Sequence, residues 1–358
     1  MGPRLGLPRA SALEEETVEA SQAVVCDGPA FEDFEVGQVY EDAPALTLTE
    51  GHAALHQALL GDRLKLALDS ELSAAVTGGA GERLAHPNLV CDVAIGQSTG
   101  PTPRVLGNLF YRGLVLLRPA FLGDTLRTRT EVVALKQNRP REDGSGSGLV
   151  VLRITTTNQR DEPVLDFWRC PMIPTADPEV QTGHADRFDS IPDQLDPDAL
   201  AAAVPPGWRL DIFRERAGGE HLESLALGSA FVIAGRDTVS AAPELARMTL
   251  NVAKAHTDPG ASFHGRRLVY GGHTIGVAAA QATRAVPNLV TVLGWRNCDH
   301  LAPVFEGDVL STELTVESID PLEDGGGLVD LRARVRAERA SGGGSNDVLD
   351  WSFVGLMA

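Results

Sequence analysis

The amino-acid sequence predicts an α+β fold made of two copies of one unit, each an apolar helix wrapped by an antiparallel sheet. Three observations support this prediction: an internal repeat, the same order of helical and strand-like segments in both halves, and a very apolar helical segment ahead of the strands in each half. The chain has 358 residues, of which 43% are hydrophobic and 22% charged, as is typical of a globular protein with a sizeable core.

The repeat is clearest in two pairs of segments separated by the same distance along the chain. LRPAFLGDTL at 117–126 and LAPVFEGDVL at 301–310 agree at six of ten positions, with a spacing of 308 − 124 = 184 residues. The same spacing relates the Val-Leu-Asp triplets at 164–166 and 348–350, and each triplet is followed by an aromatic residue. Two matches at one spacing indicate a duplicated unit.

The domain organisation follows from the repeat and from composition. Upstream, FEDFEVG at the start of the first unit resembles LESLALG near the start of the second. A segment rich in Pro and Asp separates the two units and is typical of a linker. We therefore predict an N-terminal tail at 1–30, a first domain at 31–173, a linker at 174–212 and a second domain at 213–358.

Each half is predicted to run from helices into strands. The first helices are TEGHAALHQALL and SAAPELARMTLNVA, with Thr49 and Ser240 as N-caps, and the second, more apolar ones are HPNLVCDVAIGQS and GGHTIGVAAAQATRA. Segments such as TLRTRTEVVAL and GLVVLRITTTNQ are rich in β-branched residues, and the polar stretches at 137–148 and 321–327 are typical of hairpin loops. A helix wrapped by an antiparallel sheet is the hot-dog architecture, so the chain is predicted to be a double hot-dog whose two units pair.

Charge and cysteine content exclude several classes of partner. A formal net charge of −18 argues against nucleic acid and an anionic membrane surface as partners, although a few arginines can still hold phosphates. The four cysteines are far apart and form no CxxC pair, and no Gly-rich phosphate loop follows a strand, so neither a metal site nor a nucleotide redox cofactor is expected. Without an apolar leader or a long apolar run, the protein is expected to be cytoplasmic.

Several segments resemble the MaoC-like, or R-specific enoyl-CoA hydratase, superfamily. Within it the resemblance is closest to the mesaconyl-CoA hydratase (β-methylmalyl-CoA dehydratase) group of double hot-dog proteins. The segments are FEDFEVGQ, LTEGHAALHQALLGDR, FLGDTLRTRTEVVALKQN, NVAKAHTD, GRRLVYGGHTIGVAAAQATRA and FEGDVLSTELTV. The resemblance implies an enzyme that adds water to an acyl-CoA or removes it, with CoA as part of the substrate and no other cofactor. A homo-oligomer of double hot-dog chains is left open.

The superfamily's chemical motif, an Asp and a His five residues apart, is divided between the two halves. The first half keeps the acid as Asp62, but Ala67 stands at the His position. The second half has Asn251 at the Asp position and keeps the base as His256, since 256 − 251 = 5. Asp258 is the nearest alternative carboxylate, although an Asp-Pro pair is also typical of a turn.

The start of the central helix favours the second half as the working one. The resemblance implies that a backbone N–H at this helix start holds the thioester oxygen. Gly271 and Gly272 offer such amides, whereas Pro87 in the first half has no N–H. The predicted roles are proton transfer by His256, orientation of water or hydroxyl by Asn251, and charge stabilisation by the two glycine amides.

Other residues of the second half are candidates with structural alternatives. Tyr270, His273, Arg266, Arg267 and Arg296 are predicted to contact substrate or CoA, but His273 could equally be a core histidine and the arginines could simply be solvated. The predicted activity is reversible water addition to a short, branched or dicarboxylic enoyl-CoA. The alternatives are a non-catalytic or regulatory acyl-CoA-binding protein and, less favoured, a thioesterase.

Overall fold

The computed structural model describes residues 26–79, 83–142, 144–192, 195–323 and 325–358. Most of the predicted tail therefore lies outside the described residues. The described helices are α1 (Glu50–Leu60), α2 (Lys65–Leu68), α3 (Ser70–Thr77), α4 (Pro87–Gln97), α5 (Pro197–Ala203), α6 (Leu210–Ala217), α7 (Ala242–Met248) and α8 (Gly271–Ala285). Short 3₁₀ turns lie at Phe31–Asp33, Leu222–Ser224, Lys254–His256 and Pro259–Ala261.

The described strands all belong to one antiparallel arrangement. In the first half they are β1 (Val39–Tyr40), β2 (Leu46–Thr47), β3 (Gly107–Leu116), β4 (Thr125–Gln137), β5 (Ser147–Thr157) and β6 (Pro163–Pro174). In the second half they are β7 (Ala230–Val232), β8 (Asp237–Thr238), β9 (Leu289–His300), β10 (Val309–Pro321), β11 (Gly327–Glu338) and β12 (Ser345–Met357). The predicted hairpin loops connect β4 to β5 and β10 to β11.

The sheet order shows that the two halves are copies of one fold. The order is β1-β4-β5-β6-β3-β9-β12-β11-β10-β7, which reads as the same sequence of strands from either end. The 184-residue spacing holds at the level of single hydrogen bonds: the Gln97 Nε2 donates to the Leu126 carbonyl at 3.0 Å, and the Gln281 Nε2 donates to the Leu310 carbonyl at 3.0 Å. The double hot-dog prediction is confirmed.

The sheets of the two halves are continuous rather than separate, which the sequence did not predict. β3 and β9 are the inner edge strands, and they pair antiparallel with Tyr111 opposite Cys298 and Leu114 opposite Trp295. An unpaired edge would leave a row of backbone N–H and C=O groups without partners, so joining the two edges satisfies both.

The two central helices lie inside the curved sheet and contact each other. All eleven residues of α4 are buried, and α8 is buried from Gly272 to Thr283. Helices that are apolar on all sides are stable only when surrounded, and the wrapped sheet provides those surroundings. This packing places the start of α8 deep in the molecule, between the two halves.

Of the two predicted N-caps, one is found in the structure. Thr49 caps α1 as predicted, accepting a hydrogen bond from the His52 N–H at 3.3 Å. Ser240 does not cap α7, because the N-cap position is Ala241, in the left-handed region at φ 53°. α7 also ends at Met248, and the chain then turns through Leu250, another residue with positive φ at 62°. That turn brings Asn251 and Val252 against the end of α4, where a Cβ on Gly96 would lie 3.2 Å from the Asn251 N and the Val252 N–H donates to the Thr99 hydroxyl at 3.0 Å.

The predicted linker contains structure of its own. α5 and the start of α6 fall within it, and Leu195, Leu200 and Ala203 are buried in an apolar cluster with residues of β9 and β12. The domain boundaries themselves stay a prediction. No helix among the described residues has the length and apolar character needed to cross a membrane.

Candidate active site

A cavity of about 290 Å³ lies beside the start of α8 and receives side chains from both halves. The polar residues on its wall are Thr99, Asn108, Tyr111, Arg169, Asn251, His256, His264, Tyr270, Thr274 and His300, and Gly271 lies on the same wall. Among the described residues, no Asp or Glu lines the cavity. The cavity therefore presents one basic cluster, several neutral polar groups and no carboxylate.

The helix start on this wall has backbone donors without acceptors. In the described part of the chain no acceptor is found for the N–H groups of Gly271 or Gly272, while the His273 N–H donates to the Tyr270 carbonyl at 2.9 Å. The first turn of a helix also carries the positive end of its dipole. An oxygen that develops negative charge would be stabilised at this position.

Both glycines are also required by packing. A Cβ on Gly271 would lie 2.6 Å from the His300 Nε2, and a Cβ on Gly272 would lie 1.9 Å from the Asp92 Oδ1. Gly271 lines the cavity, whereas Gly272 packs against α4 and is not among the lining residues. Close packing therefore requires glycine at both positions, but only Gly271 of the two also lines the cavity.

His256 reaches the cavity from the 3₁₀ turn that follows α7. Its side chain is buried, and its Nδ1 lies 2.9 Å from the Leu268 carbonyl. A carbonyl can only accept, so Nδ1 carries the proton and Nε2 carries the lone pair. Burial lowers the pKa of His256 to about 4, and the charge of Arg169 contributes in the same direction. His256 is therefore a neutral base near pH 7.

Asn251 lies on the same wall with one end of its amide already engaged. Its Oδ1 accepts a hydrogen bond from the Ala253 N–H at 3.0 Å, and this contact identifies which amide atom is the oxygen. The Nδ2 group has no acceptor within the described ranges. Asn251 can therefore donate a hydrogen bond to a water or hydroxyl oxygen, but it cannot take a proton.

Arg169 and His300 are among the cavity residues that sequence reasoning did not find. Arg169 is on β6 in the first half and is buried, and His300 is half-buried at the end of β9. Burial lowers the pKa of His300 to about 4, and its Nε2 has no hydrogen-bond partner in the described structure. An arginine within the apolar strand EPVLDFWRCPMI was a detectable signal, whereas nothing in the sequence around His300 distinguishes it.

The structure does not bring every predicted residue to the cavity. Asp258 is exposed and caps the next turn, accepting from the Gly260 N–H at 2.8 Å, so the alternative carboxylate is absent from the cavity wall. Arg296 forms an ion pair with Asp330 at 2.6 Å on the sheet, away from the lining residues.

The remaining predicted contacts lie beside the cavity or within its wall. Tyr270 lines it, and its ring lies 5.6 Å from that of His256. His273 is buried outside the lining, and burial lowers its pKa to about 4. Arg267 pairs with Glu306, and the Arg266 guanidinium lies 4.3 Å from the centre of the Phe305 ring.

At the start of α4, the place that corresponds to this cavity is filled by side chains. Phe353 is the counterpart of Arg169, since 353 − 169 = 184, and it stacks on Trp351 with ring centres 4.1 Å apart. Only a cavity of about 10 Å³ remains there, lined by these two rings together with Asp62 and His86.

The amide that corresponds to Gly272 is also engaged in the first half. The Asn88 N–H donates to the His86 Nδ1 at 3.1 Å, and the His86 Nε2 lies 3.1 Å from the Asp62 Oδ2. Pro87, the counterpart of Gly271, has no N–H. The first half therefore offers neither a free amide donor nor space for an acyl group at this position.

Comparison with known proteins agrees with this architecture. No family model matches the chain. The chain is 30% identical over 295 residues to a β-methylmalyl-CoA dehydratase of Chloroflexus aurantiacus, covering 79% of this chain and 80% of that protein. It is 28% identical over 326 residues to a mesaconyl-CoA hydratase of Cereibacter sphaeroides, covering 85% and 88%.

Solved structures show the same fold over nearly the whole chain. Rv0216 of Mycobacterium tuberculosis, described as a double hot-dog protein, superposes with a TM-score of 0.84 at 48% identity and covers 94% of this chain and 100% of its own. A MaoC domain dehydratase from Chloroflexus aurantiacus superposes with a TM-score of 0.80 at 24% identity, covering 94% and 99%, which supports the fold. The chain belongs to the family of hydro-lyases that includes the β-methylmalyl-CoA dehydratase and the mesaconyl-CoA hydratase, and it has the double hot-dog fold.

Proposed function

We propose that this protein catalyses reversible addition of water to the double bond of a short, branched or dicarboxylic enoyl-CoA, of the mesaconyl-CoA/β-methylmalyl-CoA kind. The observation that carries the proposal is that the free N–H of Gly271 and the neutral imidazole of His256 lie on the wall of one cavity. Conjugate addition to a thioester needs such a pair: a donor for the carbonyl oxygen and a group that moves a proton. The two curated relatives act on substrates of this kind, according to their names.

The oxygen of the thioester would accept a hydrogen bond from the Gly271 N–H. Addition of water at the β-carbon moves electron density through the double bond onto this oxygen. The free amide and the positive end of the α8 dipole stabilise that charge in a buried setting. Loss of one such donor typically slows an enzyme by about 10²–10³-fold.

Proton transfer is assigned to His256. Its Nε2 accepts a proton from the attacking water, the remaining hydroxide forms the bond to the β-carbon, and the imidazolium returns the proton to the α-carbon. In the reverse direction the same nitrogen removes the α-proton and then protonates the departing hydroxyl group. Asn251 would hold the water by donating from Nδ2 to its oxygen. A single base that works in both steps accounts for a cavity wall without a carboxylate.

The proposal is tested by following the loss of enoyl-thioester absorbance with mesaconyl-CoA, crotonyl-CoA and longer enoyl-CoAs. Wild-type protein is expected to hydrate the short substrates, and His256→Gln to lose most of that rate. His221→Gln is a matched control, because His221 is also a buried histidine but packs against Phe213 outside the cavity. The control is expected to remain within about two-fold of the wild type.

The competing functions give different results in the same experiment. A non-catalytic acyl-CoA-binding protein, which the missing carboxylate favours, would bind these thioesters without any loss of absorbance from the double bond. A thioesterase would release free CoA thiol, which a thiol reagent detects. Either result with folded protein would contradict the proposed hydration.

A further inference from the structure

Arg169 is a buried cation on the cavity wall, and the described part of the chain gives it no anionic partner. Its side chain is 3% exposed, and its Nη2 donates to the Ser98 carbonyl and to the Thr102 hydroxyl, each at 2.8 Å. Its Nε is buried without an acceptor. In the ranges that the structure describes, Arg169 forms no ion pair, and the lining of the cavity contains no Asp or Glu.

An unpaired guanidinium in this position is costly. Arginine keeps its charge in proteins, so it cannot respond to burial by losing a proton as a lysine can. Taking a charge out of water costs several kcal/mol unless a counter-ion and hydrogen bonds replace the water. The contacts with Ser98 and Thr102 are with neutral oxygens and satisfy only one of the three nitrogens.

The fold itself does not require a cation here. β6 and β12 are equivalent strands, and Arg169 opposite Tyr111 corresponds to Phe353 opposite Trp295. The equivalent position therefore accepts an apolar ring at the filled place beside the start of α4. The cation stands at the open cavity beside the start of α8, which indicates a role toward a ligand.

We propose that Arg169 binds a carboxylate carried by the acyl group of the substrate, and so selects enoyl-CoA thioesters with a carboxylate on the β-carbon. The inference rests on the proposed function and specifies its substrate class. Both N–H groups of Nη2 are engaged by Ser98 and Thr102, whereas the described structure shows no acceptor for the two N–H groups of Nη1. These can donate charge-assisted hydrogen bonds to a carboxylate.

The arrangement of the cavity supports a carboxylate at that end of the acyl group. Gly271 would hold the thioester oxygen, and His256 would deliver water to the β-carbon, so a group attached to the β-carbon lies beyond His256. Arg169 and His256 both line this cavity, so a carboxylate on the β-carbon can meet the guanidinium within it. The phosphates of CoA lie at the far end of a long pantetheine arm and would not reach a side chain buried this deeply.

The test compares substrates that differ only in that carboxylate. Wild-type protein, Arg169→Gln and Arg169→Lys are assayed for kcat/KM with mesaconyl-CoA and with tiglyl-CoA, in which a methyl group replaces the carboxylate. Wild type is expected to prefer mesaconyl-CoA, and Arg169→Gln to reduce that preference by about 10²-fold, mainly through the dicarboxylic substrate. Arg169→Lys is expected to recover part of the preference, because it restores the charge without the planar fork.

Arg112→Gln serves as the matched control, since Arg112 lies on β3 beside the cavity strand but pairs with Asp299 at 2.5 Å and does not line the cavity. It is expected to leave the ratio of the two kcat/KM values unchanged. If Arg169 only holds Ser98 and Thr102 in place, Arg169→Gln will slow both substrates equally and the inference is wrong. Melting temperatures of all variants separate this result from loss of folding.

A binding experiment separates this inference from the proposed hydration. Methylsuccinyl-CoA and 2-methylbutyryl-CoA have no double bond, so their dissociation constants can be measured by calorimetry without turnover. Preference for methylsuccinyl-CoA that Arg169→Gln abolishes would support the carboxylate site even if the wild type hydrated nothing. Equal binding of both thioesters by wild type would overturn it even if hydration were observed.

Discussion

The state of His256 makes a quantitative prediction about pH. Because burial lowers the pKa of His256 to about 4, its Nε2 stays available as a base well below neutral pH. An ordinary histidine with a pKa of about 6.5 would be only about 3% neutral at pH 5, whereas His256 would be about 90% neutral. Lowering the pH from 7 to 5 should therefore reduce kcat/KM for hydration by less than about two-fold, compared with about 25-fold for an unperturbed histidine.

The assay is the initial rate of enoyl-thioester loss at substrate concentrations below KM, at constant ionic strength. Folding must be monitored at each pH, because a pKa lowered in the folded state means that acid favours the unfolded chain. The stability due to neutral His256 is fully present above about pH 6.5 and is lost as the pH falls toward about 4. His300 and His273, with pKa values also lowered to about 4, act in the same direction. A fall of ten-fold or more between pH 7 and 5, with the fold intact, would refute the assignment of a desolvated neutral base.

Three further predictions concern single substitutions. His256→Ala should lower turnover by about 10²-fold or more with little change in melting temperature, as measured by hydration rate and thermal unfolding. Asp62→Asn should leave turnover within a few-fold but lower the free energy of unfolding by about 1–3 kcal/mol, because the Asp62 carboxylate accepts from the Leu64 N–H at 2.7 Å and lies 3.1 Å from the His86 Nε2. An equal loss of turnover in Asp62→Asn and His256→Ala would mean that Asp62 itself takes part in the reaction. Phe353→Ala should lower the free energy of unfolding, measured by chemical denaturation, by about 3–5 kcal/mol because it opens a cavity beside Trp351, and turnover should stay nearly unchanged. A loss of activity as large as that of His256→Ala would show that the filled place beside α4 takes part in the reaction.

The sequence by itself determined the duplication, the type of fold and the two central helices. These features depend on signals that are local or periodic. GGHTIGVAAAQATRA, rich in small and apolar residues, forms α8 with the predicted start at Gly271, and a spacing of 184 residues is visible in two pairs of short segments. The second half was also distinguishable from the first by sequence, because the loss of an N–H at Pro87 is a covalent fact that holds in any fold.

Only the tertiary structure decided which side chains share the cavity. Asp258 is two residues from His256, yet a 3₁₀ turn carries it to the surface, whereas Arg169 is 256 − 169 = 87 residues away in the chain and lies on the same wall. His300 likewise meets Gly271 only because β9 ends beside the start of α8. The physical reason is that contact between residues of the two halves depends on the register of the β3–β9 pairing and on the packing of α4 against α8. Sequence patterns predict the face on which a residue lies, but contact between faces of different elements is established only when the whole core is packed.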